Sequence, residues 1–241
     1  MSELAKPAKK ERSVHEGHRS RIKKRFLEKG LDSFEPHEAL ELLLYYGIPQ
    51  GDTNPTAHRL LDTFGSFAKV LDAPVEELEK VKGIGPSSAI LLKLIPQLAR
   101  LYMEDLHTAQ DRLYDTHSIS RYLMPKFIGR KNEVVILLLL DSKGRVLYCD
   151  VMNEGSIREV PIYIRSIVQK SVQYNAATAI VAHNHPSGET MPSAGDLQAT
   201  RDIFSALETV EVALEDHLIV VEGDYFSMKE TGLLATILKE L

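Results

Sequence analysis

The chain has 241 residues, of which 44% are hydrophobic and 26% charged, and a formal net charge of −5. That length holds one large domain or two modest ones, while no apolar run approaches the ~20 residues of a membrane-spanning helix, and the basic start lacks the apolar stretch of a secretory leader, so neither membrane insertion nor secretion is expected. The single cysteine, Cys149, excludes an internal disulfide framework and the thiolate-rich zinc fingers; it suits a reducing cytoplasm and leaves histidines and carboxylates to hold any metal.

The charge is unevenly spread. Residues 1–26 carry nine Lys/Arg against three Glu, a local +6, which leaves −11 on the remainder. A basic arm on an acidic body suits an anionic partner such as nucleic acid, and equally a solvated tail running into an exposed helix face.

Residues 1–13 are polar and lack periodic apolar positions, which predicts a disordered tail. Four helical segments follow. HEGHRSRIKKRFLEKG places Ile22, Phe26 and Leu27 on one side and stops at Gly30; PHEALELLLYYG opens on a first-turn proline and stops at Gly47. TNPTAHRLLDTFG and SFAKVLDAPVEELEKV repeat the scheme. Then Lys82 leads into Gly83–Ile84–Gly85, and a longer helix leaves from Pro86. Such a glycine hairpin lets backbone approach a ligand closely, and the N–H groups opening the exit helix can seat a phosphate oxygen. The pattern looks like a helix–hairpin–helix that grips nucleic-acid backbone; it fits a plain αα corner as well. This region predicts an all-α domain over residues 14–104.

DLHTAQDRLYDT is polar and predicts a linker over 105–116. From there to residue 241 the period changes. A helix over SISRYLMPKFIG precedes EVVILLLLD, a continuous apolar, β-branched run expected of a buried strand. RVLYCDVMN is its hairpin partner; YIRSIVQKSVQYNA is helical, TAIVAH a buried strand, SAGDLQATRDIFSALE a helix, HLIVVEG another strand, and KETGLLATILKEL a closing helix. Strands alternating with helices predict an α/β layered domain with a mixed sheet.

The chemistry concentrates in AIVAHNHPSGETMPSAGDLQAT, residues 179–200. Side chains two apart on a strand share a face, so His183 and His185 can project toward one ion. Asp196 can join them if the turn-rich PSGETMP loop folds back. Two imidazoles and a carboxylate suit Zn²⁺ with one position left for water. Ser193 and Asp196 also read as a helix capping box, which requires no metal.

The string H-N-H-P-S-G-x-x-x-P-S-x-x-D closely resembles the JAMM (MPN-type) metalloprotease signature, and more narrowly the RadC family, bacterial proteins labelled historically as DNA-repair factors. GHRSRIKKRFLEKG, ALELLLYYGIPQGDTNPTAHRLL, FGSFAKVL and VKGIGPSSA are similar to the RadC N-terminal region, and DHLIVVEGDYFSMKETGLL to the end of its C-terminal domain. The resemblance implies a cytidine-deaminase-like MPN fold, zinc on His183, His185 and Asp196, and Ser193 as the hydroxyl that steadies an oxyanion. It also implies a glutamate on an earlier strand as general acid/base, for which Glu133 stands at the matching distance; a solvated strand start is the alternative. Asp216 and His217 read as outer support for the site or as a strand cap.

The family usually carries Gly-Thr and then Pro-Arg-Glu before TAIVAH, where this chain has Gly155–Ser156 and Ile164–Arg165–Ser166. If that missing glutamate were the acid/base, the chain would bind zinc and catalyse weakly; Glu159 lies nearby without aligning. The expected function is a zinc hydrolase of a peptide or isopeptide bond. The alternatives are a DNA-binding accessory factor with vestigial catalysis, or an MPN-type interaction scaffold.

Overall fold

The computed structural model describes residues 14–106, 112–155 and 160–239. The expected tail at 1–13 lies outside them. The chain divides into two compact units, residues 1–96 and 97–241.

The first unit is helical. It contains α1 (Val14–Lys29), α2 (Pro36–Gly47), α3 (Asn54–Phe64), α4 (Phe67–Asp72), α5 (Val75–Glu79) and the start of α6 (Pro86–Leu106). Leu40 and Leu44 of α2, Leu60 of α3, Leu78 of α5 and Leu92 of α6 form its core, all fully buried. Removing one such leucine costs about 2–5 kcal/mol. The buried carboxylate of Glu41 gathers three helices. It accepts from Tyr45 at 2.6 Å and Asn54 at 2.8 Å, and faces His18 Nε2 at 2.8 Å. The face read for α1 is corrected: Ile22 is buried, but Leu27 is exposed, because the helix docks mainly through polar side chains such as Arg19, bonded to the carbonyls of Ile48, Pro49 and Gly51.

The second unit is an α/β layer structure on a mixed sheet, as expected, and the sheet has five strands. Its strands are β1 (Val134–Leu140), β2 (Val146–Glu154), β3 (Thr178–Asn184), β4 (Ala213–Val221) and β5 (Asp224–Ser227), in the order β2-β1-β3-β4-β5. Only β3 and β4 pair in parallel; α9 (Ala194–Glu208) runs between them. All seven residues of β1 are buried because both faces of the sheet are covered. Val135, Leu137 and Leu139 pack with Ala179, Val181 and Ile219 against α8 (Val160–Gln173), α9 and α10 (Leu233–Lys239). Val134, Ile136, Leu138 and Leu140 face Ile119 and Leu123 of α7 (Thr116–Leu123) and Phe127 of the 3-10 turn that follows it. A strand covered on both sides reads as an unbroken apolar run.

Two segments differ from the sequence reading. Within the span read as linker, α6 extends to Leu106, and Leu113 is buried with its N–H donated to Gly144. Polar neighbours concealed that one apolar anchor. DYFS is the fifth strand, returning from β4 through Glu222–Gly223, with Gly223 at φ 78°. An X-Gly pair between two apolar segments is a hairpin signal.

Candidate metal centre

β3 delivers the histidines. His183 lies within the strand and His185 one residue past its end, where its N–H still bonds the carbonyl of Val220 on β4. Both share the sheet face of Ala179 and Val181, the face that α9 covers. Asp196 sits in the first turn of α9, behind a complete capping box. Ser193 Oγ accepts the Asp196 N–H at 3.2 Å, and Asp196 Oδ2 accepts the Ser193 N–H at 2.7 Å. Cap and cluster therefore coexist: Oδ2 closes the helix while lying 3.4 Å from His185 Nε2, and Oδ1 faces His183 Nε2 at 3.2 Å.

Glu133 precedes β1 on the same face as Val135. Its carbonyl accepts the N–H of Gly155 at 2.8 Å. Ligand-type atoms of Glu133, His183, His185 and Asp196 all lie within 4.8 Å of one another. The two Nε2 atoms are 3.0 Å apart, with His183 Nε2 3.2 Å from Asp196 Oδ1 and His185 Nε2 3.4 Å from Oδ2.

The donor set fits a cation. Asp196 Oδ1 and Glu133 Oε1 are buried and accept no hydrogen bond. The Nδ1 of His185 lies 2.7 Å from the carbonyl of Glu189, which can only accept, so Nδ1 carries the proton and Nε2 presents a lone pair. Electron-rich atoms facing each other in a buried space are repulsive until a positive charge joins them. Burial pushes Asp196 up, but His183 and the Ser193 cap pull it down more strongly, well below the usual carboxylate range. Glu133 moves the other way: burial, reinforced by Asp196, raises it against the pull of both histidines. Glu133 and Ser193 also line a cleft with His185, Pro186, Ser187, Glu189, Met191 and Pro192.

Two separate matches cover most of the chain. Residues 113–233 match the RadC-like JAB domain, and residues 14–90 match the UPF0758 N-terminal domain. The chain belongs to the UPF0758 family. It is 34% identical over 210 residues to a UPF0758 protein of Paraburkholderia phytofirmans, covering 87% of this chain and 81% of that one. To UPF0758 proteins of Ruegeria pomeroyi and Fusobacterium nucleatum it is 34% and 33% identical, over 90% and 91% of its length and 97% and 98% of theirs. The RadC resemblance is thereby confirmed, and these relatives' names state no reaction.

Other expected residues of this UPF0758 chain fall elsewhere. Strand alternation separates Asp216 from His217. His217 is buried on the cluster's face, its Nε2 2.9 Å from His183 Nδ1. Burial, with the neighbouring His183, pushes its imidazole down to about 3. Asp216 instead bonds Ser227 Oγ at 2.5 Å and the Lys229 N–H at 2.9 Å, fastening β4 to the end of β5. Asp216 was read as outer support for the site or as a strand cap, and these bonds are those of a strand cap. Ser156 and Glu159 lie outside the described residues, while Arg165 and Ser166 stand on α8.

Lys82, Gly83, Ile84 and Gly85 belong to the first unit. Ile84 is buried in its core. Gly83 has φ 100°, and a Cβ there would meet Thr56 Oγ1 at 2.7 Å. Its glycine is thus accounted for by packing on α3, braced by Arg59 Nε on the Lys82 carbonyl at 3.0 Å.

Asn184 was missed in the sequence. Buried between the histidines, it donates to the Asn132 carbonyl at 3.1 Å and accepts the Val134 N–H at 2.8 Å. The alternation that sends His183 and His185 to one face sends Asn184 to the other, a signal readable from H-N-H alone.

Proposed function

We propose that this chain is a zinc-dependent hydrolase of a peptide or isopeptide bond. The observation that carries the reading is the half-buried Glu133 carboxylate, its buried Oε1 without a hydrogen-bond donor, beside His183, His185 and Asp196 at the wall of an open cleft. Those last three residues would hold the ion. Zn²⁺ supplies Lewis acidity there, polarising a carbonyl and bringing the pKa of water to ~7. Glu133 takes a proton from the attacking water as its oxygen bonds the carbonyl carbon, and delivers it to the amine nitrogen as the C–N bond breaks. Its place beside the ligands at the cleft wall suits both transfers. The Ser193 oxygen is occupied by the cap, which leaves its hydroxyl hydrogen for the oxyanion; such a donor is worth about 10²–10³ in kcat.

The test is zinc stoichiometry together with a peptide and isopeptide screen, comparing wild type with Glu133→Gln. One zinc per chain in both, and a loss of about 10²–10⁴ in rate for the variant, is expected. A chain that takes up no zinc, or a variant as active as wild type, refutes the reading. An MPN-type scaffold has weaker support, since it gives no reason for unpaired acceptors in the core.

A second reading, nucleic-acid binding by the first unit, is favoured by the exposed Lys82 and by Gly85, which has open space around it where α6 begins. Sequence-independent, salt-sensitive DNA binding by the full chain, weakened by Lys82→Ala, would support it. No binding at low salt would count against it.

A further inference from the structure

A buried chain of three polar groups runs behind the cluster. Thr200 Oγ1 lies 2.6 Å from the backbone carbonyl of Asp196 and 2.7 Å from His217 Nδ1; His217 Nε2 lies 2.9 Å from His183 Nδ1. Thr200, His217 and His183 are all at most 3% exposed.

The direction of the chain is set at one end. Thr200 Oγ1 also lies 3.5 Å from Met228 Sδ, a weak thioether acceptor, but the Asp196 carbonyl at 2.6 Å can only accept, so the single hydroxyl hydrogen points at Asp196. Thr200 Oγ1 must then accept from His217 Nδ1–H. Neutral His217 is left with a lone pair on Nε2, which accepts from His183 Nδ1–H. The reverse direction would set the Thr200 oxygen against the Asp196 carbonyl with no hydrogen between them, and would place a proton on His183 Nε2.

We infer that Thr200 and His217 are positioning residues, a relay that fixes His183 as its Nδ1–H tautomer and keeps Nε2 as a lone pair aimed into the cluster. The relay starts on the main chain of Asp196 and ends with His183 Nε2 3.2 Å from that residue's Oδ1, two acceptors with no hydrogen between them. His185 reaches the same tautomer by a separate device, the Glu189 carbonyl. In a cytosolic or any other setting, metal uptake then needs no proton rearrangement at either imidazole. The purpose assigned to the relay rests on the metal reading above; its direction does not.

The test begins with ¹⁵N-histidine NMR on the metal-free full-length wild type. His183 protonated on Nδ1 is expected, and protonation on Nε2 overturns the relay. Zinc titrations on His217→Leu, His217→Gln and Thr200→Val follow. His217→Leu removes the acceptor and is expected to weaken zinc by about ten- to a hundredfold. His217→Gln restores an acceptor and recovers most of that loss, which a merely space-filling role for the ring would not produce. Thr200→Val, nearly isosteric, weakens zinc in the same direction. Wild-type affinity in both His217→Leu and Thr200→Val overturns the inference; if His217→Leu fails to fold, Thr200→Val and the wild-type tautomer decide. A wild type with the Nδ1–H tautomer and no zinc affinity refutes the metal reading and leaves the relay standing.

Discussion

Asn184 holds Glu133 by the main chain on either side of it. The carboxamide accepts the N–H of Val134 and donates to the carbonyl of Asn132, so the residue between the two histidines also sets where the carboxylate stands. The β1–β3 ladder ends at Val135↔His183, and the carboxamide continues it where the strands begin to part.

Asn184→Ala should therefore separate binding from turnover. It touches no ligand-type atom, so zinc affinity stays within a few-fold, while any hydrolytic rate falls toward that of Glu133→Gln. It also leaves the buried Val134 N–H without a partner, a cost of about 1–3 kcal/mol. Urea denaturation and zinc titration on the same preparation check both expectations. A variant that loses zinc and keeps its stability would contradict them.

What the sequence made legible was what is decided locally. EVVILLLLD announces a buried strand by its own composition, and Ser193–Asp196 forms its capping box within one helical turn. The signature string holds His183, His185 and Asp196, Glu133 came only from its distance to them, and the fold groups all four. The remainder depends on neighbours that spacing does not name. Asp216 and His217 are adjacent in sequence yet face opposite sides of β4. Leu113 is an anchor only because Gly144 lies opposite. Gly83 resembles a ligand-binding glycine until Thr56 is found behind it.

Cys149 should be a slow thiol despite lying on a half-buried strand. Burial among the side chains packed under α7 pushes it up to about 12. Against an ordinary thiol near 8.5–9, about three pH units lower, the thiolate fraction near pH 8 falls by about a thousandfold. Iodoacetamide at that pH should modify denatured chain readily and folded chain hardly at all. Equal rates would show that the strand opens freely.

The turn joining β1 and β2 should carry an acid-sensitive contribution. Asp141 accepts the N–H of Arg145 at 2.9 Å and of Lys143 at 2.8 Å, and pairs with Arg145 Nε at 2.6 Å. The Arg145 backbone bond leads in holding its carboxyl below the ordinary range, against a smaller opposing effect of burial. A depressed folded pKa contributes stability that is present above the unfolded value of ~3.9 and is lost as pH falls through the folded one. Asp141→Asn should thus be less stable than wild type at pH 7, with the gap closing below about pH 4. A gap that widens in acid would contradict this sign.

The two hairpin glycines should respond differently to alanine. Gly83→Ala must hold a left-handed φ, a cost of about 1–2 kcal/mol before any clash, and its Cβ also meets the Thr56 hydroxyl. Gly85→Ala enters open space without a positive φ and should stay within about 0.5 kcal/mol of wild type. Thermal denaturation of the two variants measures the difference. It also decides which variant can test nucleic-acid binding: loss of binding in Gly83→Ala would report a displaced α3 contact, whereas loss in a fully stable Gly85→Ala or Lys82→Ala would report the hairpin surface itself.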